Sequence, residues 1–205
     1  SEILPIRYPK SAVVEEALYN MAWAQFELER YDASVSNFRE MSYRFPDGYR
    51  ADRAQFQIGE TFFVQEMYDS ALVAFQVVVD KNDIGQMSER QLQQMRRERL
   101  AGLVDETALE LAAKAQLKIG DCLAKTGRLD DAAQAYSVVP KQFPGEMRLA
   151  EDAYLRMADM YFEQGLIDQG AQTLQRAIDE VPRRGFRARM QFLTGRRLYE
   201  HSRYN

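Results

Sequence analysis

The stretch Gly59–Phe75, which reads GETFFVQEMYDSALVAF, contains the pattern that decides the fold. A small residue is followed by an aromatic or apolar residue and Asp, then by a second small residue and a large apolar one. The same pattern with the same internal spacing occurs in three more places: Ala22…Tyr31-Asp32…Ser34…Phe38, Gly120…Leu129-Asp130…Ala132…Tyr136 and Ala158…Ile167-Asp168…Gly170…Leu174. Identical spacing in four places indicates an internal repeat.

Each copy of the pattern predicts two helices that pack on each other. Apolar and small residues recur every three or four positions before the Asp, as in Tyr154, Met157, Ala158 and Tyr161, which is typical of a helix with one buried side. Three of the four copies have a proline eight positions after the large apolar residue, where a ring without an N–H ends the second helix: Pro46, Pro144 and Pro182.

The small residues and the aspartates have predicted structural roles. Ala22, Gly59, Gly120 and Ala158 in the first helices, with Ser34, Ala71, Ala132 and Gly170 in the second, let the paired helices approach closely. Each Asp is expected to open its second helix, where a carboxylate accepts N–H groups and favours the helix dipole.

These features resemble the tetratricopeptide repeat family, whose unit of about 34 residues is a helix-turn-helix with small residues at the helix crossing and a final proline. The resemblance covers nearly the whole chain. It implies an all-α fold, a right-handed α-solenoid of antiparallel helix pairs. Successive units start 37 or 38 residues apart, and the longer connections with Phe-Pro pairs are similar to those of bacterial cell-envelope members, including the Tol-Pal accessory coordinator and the Bam-complex lipoprotein. We therefore expect the bacterial periplasm or cell envelope, with the cytoplasm as the alternative.

The repeat predicts a single solenoid segment, 1–205, of a longer array. Phe75 and Tyr136 are 61 residues apart, so a helical insert separates the second and third repeats, with one helix over Ser88–Leu103. The expected parts are the tail of a preceding repeat at 1–9, repeats at 11–46, 49–82, 108–144 and 147–182, the insert at 83–107, and the first helix of a fifth repeat at 186–205.

Composition and charge restrict the function classes. Hydrophobic residues make up 46% and charged residues 28% of the chain, as in folded proteins. The net charge of -4 opposes attraction to phosphate backbones, so no nucleic acid partner is expected. No apolar run is long enough to cross a bilayer, so no membrane span is expected.

Motifs that carry catalytic chemistry are missing from the sequence. It has no Gly-rich phosphate loop, no HExxH, no cysteine pair at metal spacing and no Gly-x-Ser-x-Gly. His201 and Cys122 are the single histidine and the single cysteine, and we interpret them as an ordinary exposed residue and a buried inert thiol. We expect neither an enzyme nor a cofactor or metal site.

The resemblance also implies that the first helices line a concave recognition surface. Its inward-facing positions fall on Tyr19, Trp23, Phe26, Glu27, Phe56, Glu60, Phe63, Leu117, Asp121, Lys125, Leu155, Asp159, Phe162, Glu163, Phe192, Arg196 and Tyr199. Aromatic residues anchor partner segments through large contact areas, although any single one could instead pack against the next repeat. The carboxylate-clamp set that holds chaperone C-termini is absent, because Tyr19, Trp23, Phe56 and Glu60 stand at its positions.

The sequence thus predicts a protein-interaction scaffold in a bacterial envelope assembly. It would bind a peptide or helix of a partner protein in this groove. The alternative is a self-assembly module, a homo-oligomer formed through the exposed ends or the insert. Residues 183–205 contain seven Arg and one Glu, which is either a docking patch for an acidic partner or a surface that meets the acidic residues of a next repeat.

Overall fold

The computed structural model of the chain describes residues 12–48, 50–82, 90, 93–94, 97, 107–143, 145–181 and 185–204. These residues form helices and no strand, so the predicted all-α fold is confirmed. The helices of the described ranges are α1 (Ala12–Glu27), α2 (Tyr31–Arg44), α3 (Ala51–Val64), α4 (Tyr68–Lys81), α5 (Ala108–Lys125), α6 (Leu129–Gln142), α7 (Met147–Glu163), α8 (Ile167–Glu180) and α9 (Phe186–Tyr204). None of them is long and apolar enough to cross a membrane.

The helices follow the predicted repeat. Odd-numbered helices are the first helices of the units, and α2, α4, α6 and α8 are the second helices. The predicted insert helix lies largely outside the described residues, although Arg90, Gln93, Gln94 and Arg97 are helical. The chain divides into two compact units, Ser1–Ala115 (unit 1) and Gln116–Asn205 (unit 2), with the boundary inside α5.

In unit 1, α1 packs on α2, α2 on α3, and α3 on α4. The large apolar residues of the repeat pattern, Phe38 and Phe75, are fully buried here. Burying a side chain of this size stabilises the fold by about 1.5–3 kcal/mol. In unit 2, α6 packs on α7, α7 on α8, and α8 on α9, around Tyr136, Met157 and Leu174.

The small residues lie at the helix crossings. A β-carbon added to Gly59 would stand 2.5 Å from the ring of Phe75, and one added to Gly120 would meet the ring of Tyr136. The large residue of each pattern therefore fills the space that its own glycine leaves open. Ala22 and Ala158 are also buried, and the Ser34 hydroxyl donates a hydrogen bond of 2.9 Å to the Ala22 carbonyl.

The capping role predicted for the aspartates is wrong. The second helices begin one residue before each Asp, at Tyr31, Tyr68, Leu129 and Ile167, and their N-cap residues make no side-chain capping hydrogen bond. Asp32, Asp69, Asp130 and Asp168 therefore lie in the first turn, where they favour the helix dipole without capping the N-terminus.

A left-handed residue follows each of the first helices α1, α3, α5 and α7, seven positions after the small residue. Gly127 and Gly165 have φ values of 76° and 72°, and Glu29 and Glu66 have φ values of 57° and 59°. This conformation is typical of helix C-termini and is easiest for glycine. Two of the four units therefore place a glutamate in a conformation that suits glycine better.

Proline has two roles in the second helices. Helix α2 ends at Arg44, shortly before Pro46, as predicted, whereas Pro144 and Pro182 lie outside the described residues. Helix α6 contains Pro140, which the sequence analysis did not address, and continues to Gln142. Because proline has no N–H, α6 lacks one backbone hydrogen bond near its end.

The connection between α2 and α3 is held by a carboxylate from α1. Glu15 is buried, and its Oε1 accepts a hydrogen bond of 2.8 Å from the backbone N–H of Arg50, which lies immediately before α3. The guanidinium of Arg50 lies 4.8 Å from the centre of the Tyr19 ring and 3.3 Å from Glu16. These contacts fix the start of the second repeat against the first helix of the first.

Candidate functional site

An aromatic run links the middle of α1 to the start of α2 in unit 1. The ring centres of Trp23 and Phe26 are 5.6 Å apart, and the edge of Phe26 meets Tyr31 with a centre distance of 5.8 Å. Trp23 is 38% exposed, and Phe26 and Tyr31 are half-buried. The run therefore holds its rings in fixed positions and leaves part of their surface open to a partner.

Tyr19 precedes this run by one helical turn. Its ring meets the fully buried Phe38 edge-on at 5.5 Å and lies under the guanidinium of Arg50. Tyr19 is thus held between the core and a cation. Because these two contacts hold the Tyr19 ring in place within unit 1, the ring is suited to form one wall of a site.

Helix α3 repeats the arrangement of α1. The Phe63 ring meets Tyr68 edge-on at 5.4 Å, which matches the Phe26–Tyr31 pair of the preceding repeat. Phe56 packs against the buried Phe75 at 5.2 Å. Glu60 is half-buried on the same helix, and Glu27 is exposed at the end of α1. The candidates of unit 1 therefore combine half-exposed aromatic rings with carboxylates.

In unit 2, Asp121 belongs to a polar network. It occupies the position in the third repeat that Trp23 and Glu60 occupy in the first two. The Tyr136 hydroxyl donates a hydrogen bond of 2.8 Å to Asp121 Oδ1, and Arg156 forms an ion pair with Asp121. Arg156 also lies 2.9 Å from Asp152 Oδ2. Burial raises the pKa of Asp121, although the charge of Arg156 and the bond from Tyr136 act in the opposite direction.

The remaining candidates of the third repeat differ in exposure. Leu117 is 3% exposed and lies in the core of its unit, while Lys125 is exposed. The third repeat therefore presents charged groups here and lacks the aromatic anchors of unit 1. Among the residues of the described ranges, no group of three His, Cys, Asp or Glu side chains could hold a metal ion.

The structure brings two candidates of the fourth repeat together. Arg197 of α9 lies 2.9 Å from Asp159 Oδ1, and its guanidinium is 5.7 Å from the centre of the Phe162 ring. The same ring covers Gly170, where a β-carbon would stand 2.7 Å from it. Leu155 is half-buried nearby on α7, and Glu163 is exposed. Phe162 is therefore held on two sides within unit 2.

Helix α9 carries the most exposed aromatic candidates. Phe192 and Tyr199 are 68% and 62% exposed, and Arg196 Nε lies 2.8 Å from Glu200 Oε1. This hydrogen bond lowers the pKa of Glu200. The side chain of His201 lies outside the described residues, and Cys122 is buried, as predicted.

Sequence reasoning missed the arginines that organise these surfaces. Arg50, Arg156 and Arg197 each contact an acidic residue 34–38 positions earlier in the chain, which is about one repeat length. Opposite charges at that separation are the signal that could have identified them. Such ion pairs are hard to recognise in a sequence, because most charged residues on amphipathic helices face solvent and make no specific pair.

Comparisons with known proteins identify the repeat in the sequence. Two family models, both described as "Tetratricopeptide repeat", match residues 91–146 and residues 16–48 and 152–183. Among curated proteins, no sequence matches the chain.

Solved structures with a similar fold include "Crystal structure of MamA", which is 17% identical with a TM-score of 0.52, over 87% of this chain and 82% of that one. The "MamA RS-1 ArsTM double mutant" is 16% identical with the same score and coverage. YrrB, described as "a TPR protein with an unusual peptide-binding site", is 20% identical over 91% of this chain and 95% of that one, with a TM-score of 0.31. At these identities, the MamA structures support the fold alone.

Proposed function

Because the chain is built from tetratricopeptide repeats, we propose that it is a protein-interaction scaffold that binds a peptide or helix of a partner protein on the first helices of unit 1. Repeats of paired helices use the surface of their first helices for recognition. A non-enzymatic role fits this fold, since the candidate residues are binding groups and ion pairs.

The observation that carries the proposal is the aromatic run Trp23–Phe26–Tyr31 together with its counterpart Phe63–Tyr68. Half-exposed rings held by their neighbours lose little conformational entropy on binding, which is the property of interface anchors. In unit 2, Phe162 is already covered by Arg197 and Gly170. The aromatic surface of unit 1 is therefore the better place for an anchor.

The charge of this surface favours a particular kind of partner. Glu27 is exposed at the end of α1, and Glu60 lies on α3 three residues before Phe63. An apolar segment flanked by Lys or Arg would contact the rings and place its charges near these carboxylates. Such charges mainly increase the association rate and select the partner, while the aromatic contacts supply most of the affinity.

Peptides selected from a random library on the immobilised chain provide the test. We expect Phe26→Ala/Phe63→Ala to weaken binding of the selected peptides by at least about 2 kcal/mol. Tyr43→Ala is the matched control, because Tyr43 is an exposed aromatic residue of the second helix α2, at 87% exposure. It should leave binding unchanged.

The fold must survive the double substitution for this test to count. Thermal unfolding of Phe26→Ala/Phe63→Ala should remain cooperative. A double variant that binds as tightly as the parent chain, or that loses binding only because it unfolds, would remove the aromatic surface as the site.

The cell envelope is our proposed location for this scaffold. Support comes from the long connections with the Phe45-Pro46 and Phe143-Pro144 pairs, which are similar to those of envelope members of the family. Fusing the full-length protein to alkaline phosphatase, which folds only outside the bacterial cytoplasm, tests the compartment. An inactive but expressed fusion would contradict an envelope location.

Self-assembly is the second candidate function. The exposure of Phe192, Leu198 and Tyr199 along α9 favours it, because large apolar side chains grouped on one helix mark interaction surfaces. Light scattering of the purified chain over a range of concentrations separates the two functions. A monomer at all concentrations would leave the scaffold role and remove the self-assembly role.

A further inference from the structure

A second surface of unit 1 is formed by residues of α2, α3 and α4. It contains a cavity of about 400 Å³, within the range of pockets that hold small ligands, roughly 300–1,000 Å³. Phe62 and Ile58 of α3 line it together with Val73 and Val77 of α4 and Arg39 of α2. We call this surface the outer groove. None of these five residues belongs to the candidate site on the first helices.

The valines of the outer groove face solvent. Val73 is 65% exposed and Val77 is 47% exposed, one helical turn apart on the same side of α4. A single exposed apolar residue is common on protein surfaces, whereas two that adjoin a half-buried phenylalanine form a patch. A second cavity of about 330 Å³ shares Arg39 and Phe62 with the first as lining residues and is also lined by Val35 and Ser36 of α2.

The fourth repeat shows that the fold does not require these apolar residues. Its equivalent groove lies between Tyr161 of α7 and the outer side of α8, and Gln169, Gln172, Thr173 and Arg176 line it. Tyr161, Gln172 and Arg176 occupy the positions of Phe62, Val73 and Val77. The same groove is therefore built with polar residues in one repeat and apolar residues in another, so apolar residues are not required to form it.

Arg39 is the one basic residue among the residues that line the two cavities. Its guanidinium lies 5.8 Å from the centre of the Phe62 ring, a cation–π contact that holds the charge over the groove. Within the part of the chain that the structure describes, Arg39 forms no ion pair. Asp32 and Asp69 also line the cavities, but each lies in the first turn of its own helix, where the helix dipole partly compensates its charge.

We propose that the outer groove binds a second protein segment, one that offers a large apolar side chain next to a carboxylate. The apolar side chain would lie on Phe62 between Val73 and Val77, and the carboxylate would accept hydrogen bonds from Arg39. Arginine suits this role because its planar fork can donate two hydrogen bonds to one carboxylate. The chain then has two docking surfaces with opposite preferences, basic segments on the first helices and acidic segments in the outer groove.

The test is a selection of random short peptides on the chain, with counter-selection on Val73→Gln/Val77→Gln. This variant makes the two positions polar, as they are in the fourth repeat, without adding a charge, and both sites are exposed, so the fold should be kept. We expect the surviving peptides to carry Phe, Leu or Met beside Asp or Glu. A selected peptide should bind Arg39→Gln and the double variant at least about tenfold more weakly than the parent chain.

Trp23→Ala is the matched control, because it alters the other surface. It should leave binding of these peptides unchanged, and its failure to do so would assign them to the first helices. Peptides that bind the double variant equally well, or that are basic, would overturn the proposal. A lower thermal midpoint for Val73→Gln/Val77→Gln, without any selected peptide, would also overturn it by showing that the groove is filled from within the chain.

Discussion

The ring of Phe75 lies directly against Gly59, so that a β-carbon on Gly59 would stand 2.5 Å from the ring. Gly195 of α9 occupies the corresponding position of its helix, yet none of the residues that the structure describes lies within 4 Å of where its β-carbon would be. Close packing therefore requires glycine at this repeat position in α3 and does not require it in α9.

This contrast predicts opposite effects for the same substitution. Gly59→Ala should lower the free energy of unfolding by about 1–3 kcal/mol, because the added methyl group forces the helix pair apart. Gly195→Ala should leave stability unchanged or raise it by up to about 1 kcal/mol, the difference in helix propensity. Urea denaturation of both variants checks the pair, and a destabilised Gly195→Ala with an unchanged Gly59→Ala would show the repeat register to be wrong.

The left-handed residues after the first helices give a second prediction. Glu66 has a φ of 59°, whereas the equivalent Gly127 has a φ of 76°. An ordinary residue in this conformation costs about 1–2 kcal/mol, and glycine avoids most of that cost. Glu66→Gly should therefore raise the free energy of unfolding by roughly 0.5–1 kcal/mol, with Gln65→Gly as a destabilising control at the neighbouring position. A destabilised Glu66→Gly would show that the Glu66 side chain contributes more than its backbone strain.

The repeat register could be predicted from the sequence because it depends on local spacing. Small residues, aspartates and prolines recur at fixed distances, and these distances place the crossings at Gly59 and Gly120 correctly. The exact starts of the second helices could not be read in this way. A first-turn Asp and an N-cap Asp give nearly the same sequence signal, since both favour the dipole.

The surfaces were harder to predict because they depend on contacts between repeats. The sequence identifies Phe162 and Asp159 as neighbours on one helix but does not reveal that Arg197 covers both. Nor does the sequence show that Val73 is exposed, because a valine at this position would be an ordinary core residue if that side of α4 faced the core. Exposure is set by packing, and packing is not visible in a single sequence.

The link between Glu15 and Arg50 predicts an unequal effect for two neighbouring glutamates. Glu15→Ala removes the acceptor of the Arg50 N–H at the start of α3 and should cost about 0.5–2 kcal/mol, as for loss of a helix cap. Glu16→Ala removes an exposed ion pair with the same arginine and should cost at most about 0.5 kcal/mol. Denaturation midpoints of the two variants, measured together, decide this, and equal losses would contradict a specific role for Glu15.

Asp121 should make the stability of the chain depend on pH. Burial raises its pKa in the folded state above the value of about 3.9 for an unfolded Asp. A carboxyl group with a raised folded pKa binds its proton more tightly when folded, so its contribution is complete below the unfolded pKa and is lost as the pH rises through the folded pKa. The parent chain should lose stability relative to Asp121→Asn as the pH rises above about 4.

A second variant tests the cause of this pH dependence. The hydrogen bond from Tyr136 to Asp121 lowers the pKa of that carboxyl, so Tyr136→Phe should raise it further and move the loss to higher pH. Urea denaturation at several pH values measures both effects. If the parent chain instead gains stability relative to Asp121→Asn as the pH rises, the ion pair with Arg156 outweighs burial.

The final prediction concerns whether the aromatic run is available to a partner. Trp23 is 38% exposed, whereas Phe38 is fully buried beside Tyr19. Phe38→Ala should lower the free energy of unfolding by about 3–5 kcal/mol, as for buried aromatic residues in general. Trp23→Ala should cost about 1–2 kcal/mol, since part of its ring is in contact with water in the folded state. Both side chains are aromatic, so the difference between the two losses of unfolding free energy shows how much the Trp23 ring contributes to folding. A loss above 3 kcal/mol for Trp23→Ala would make it a core residue and leave the first helices of unit 1 without their central anchor.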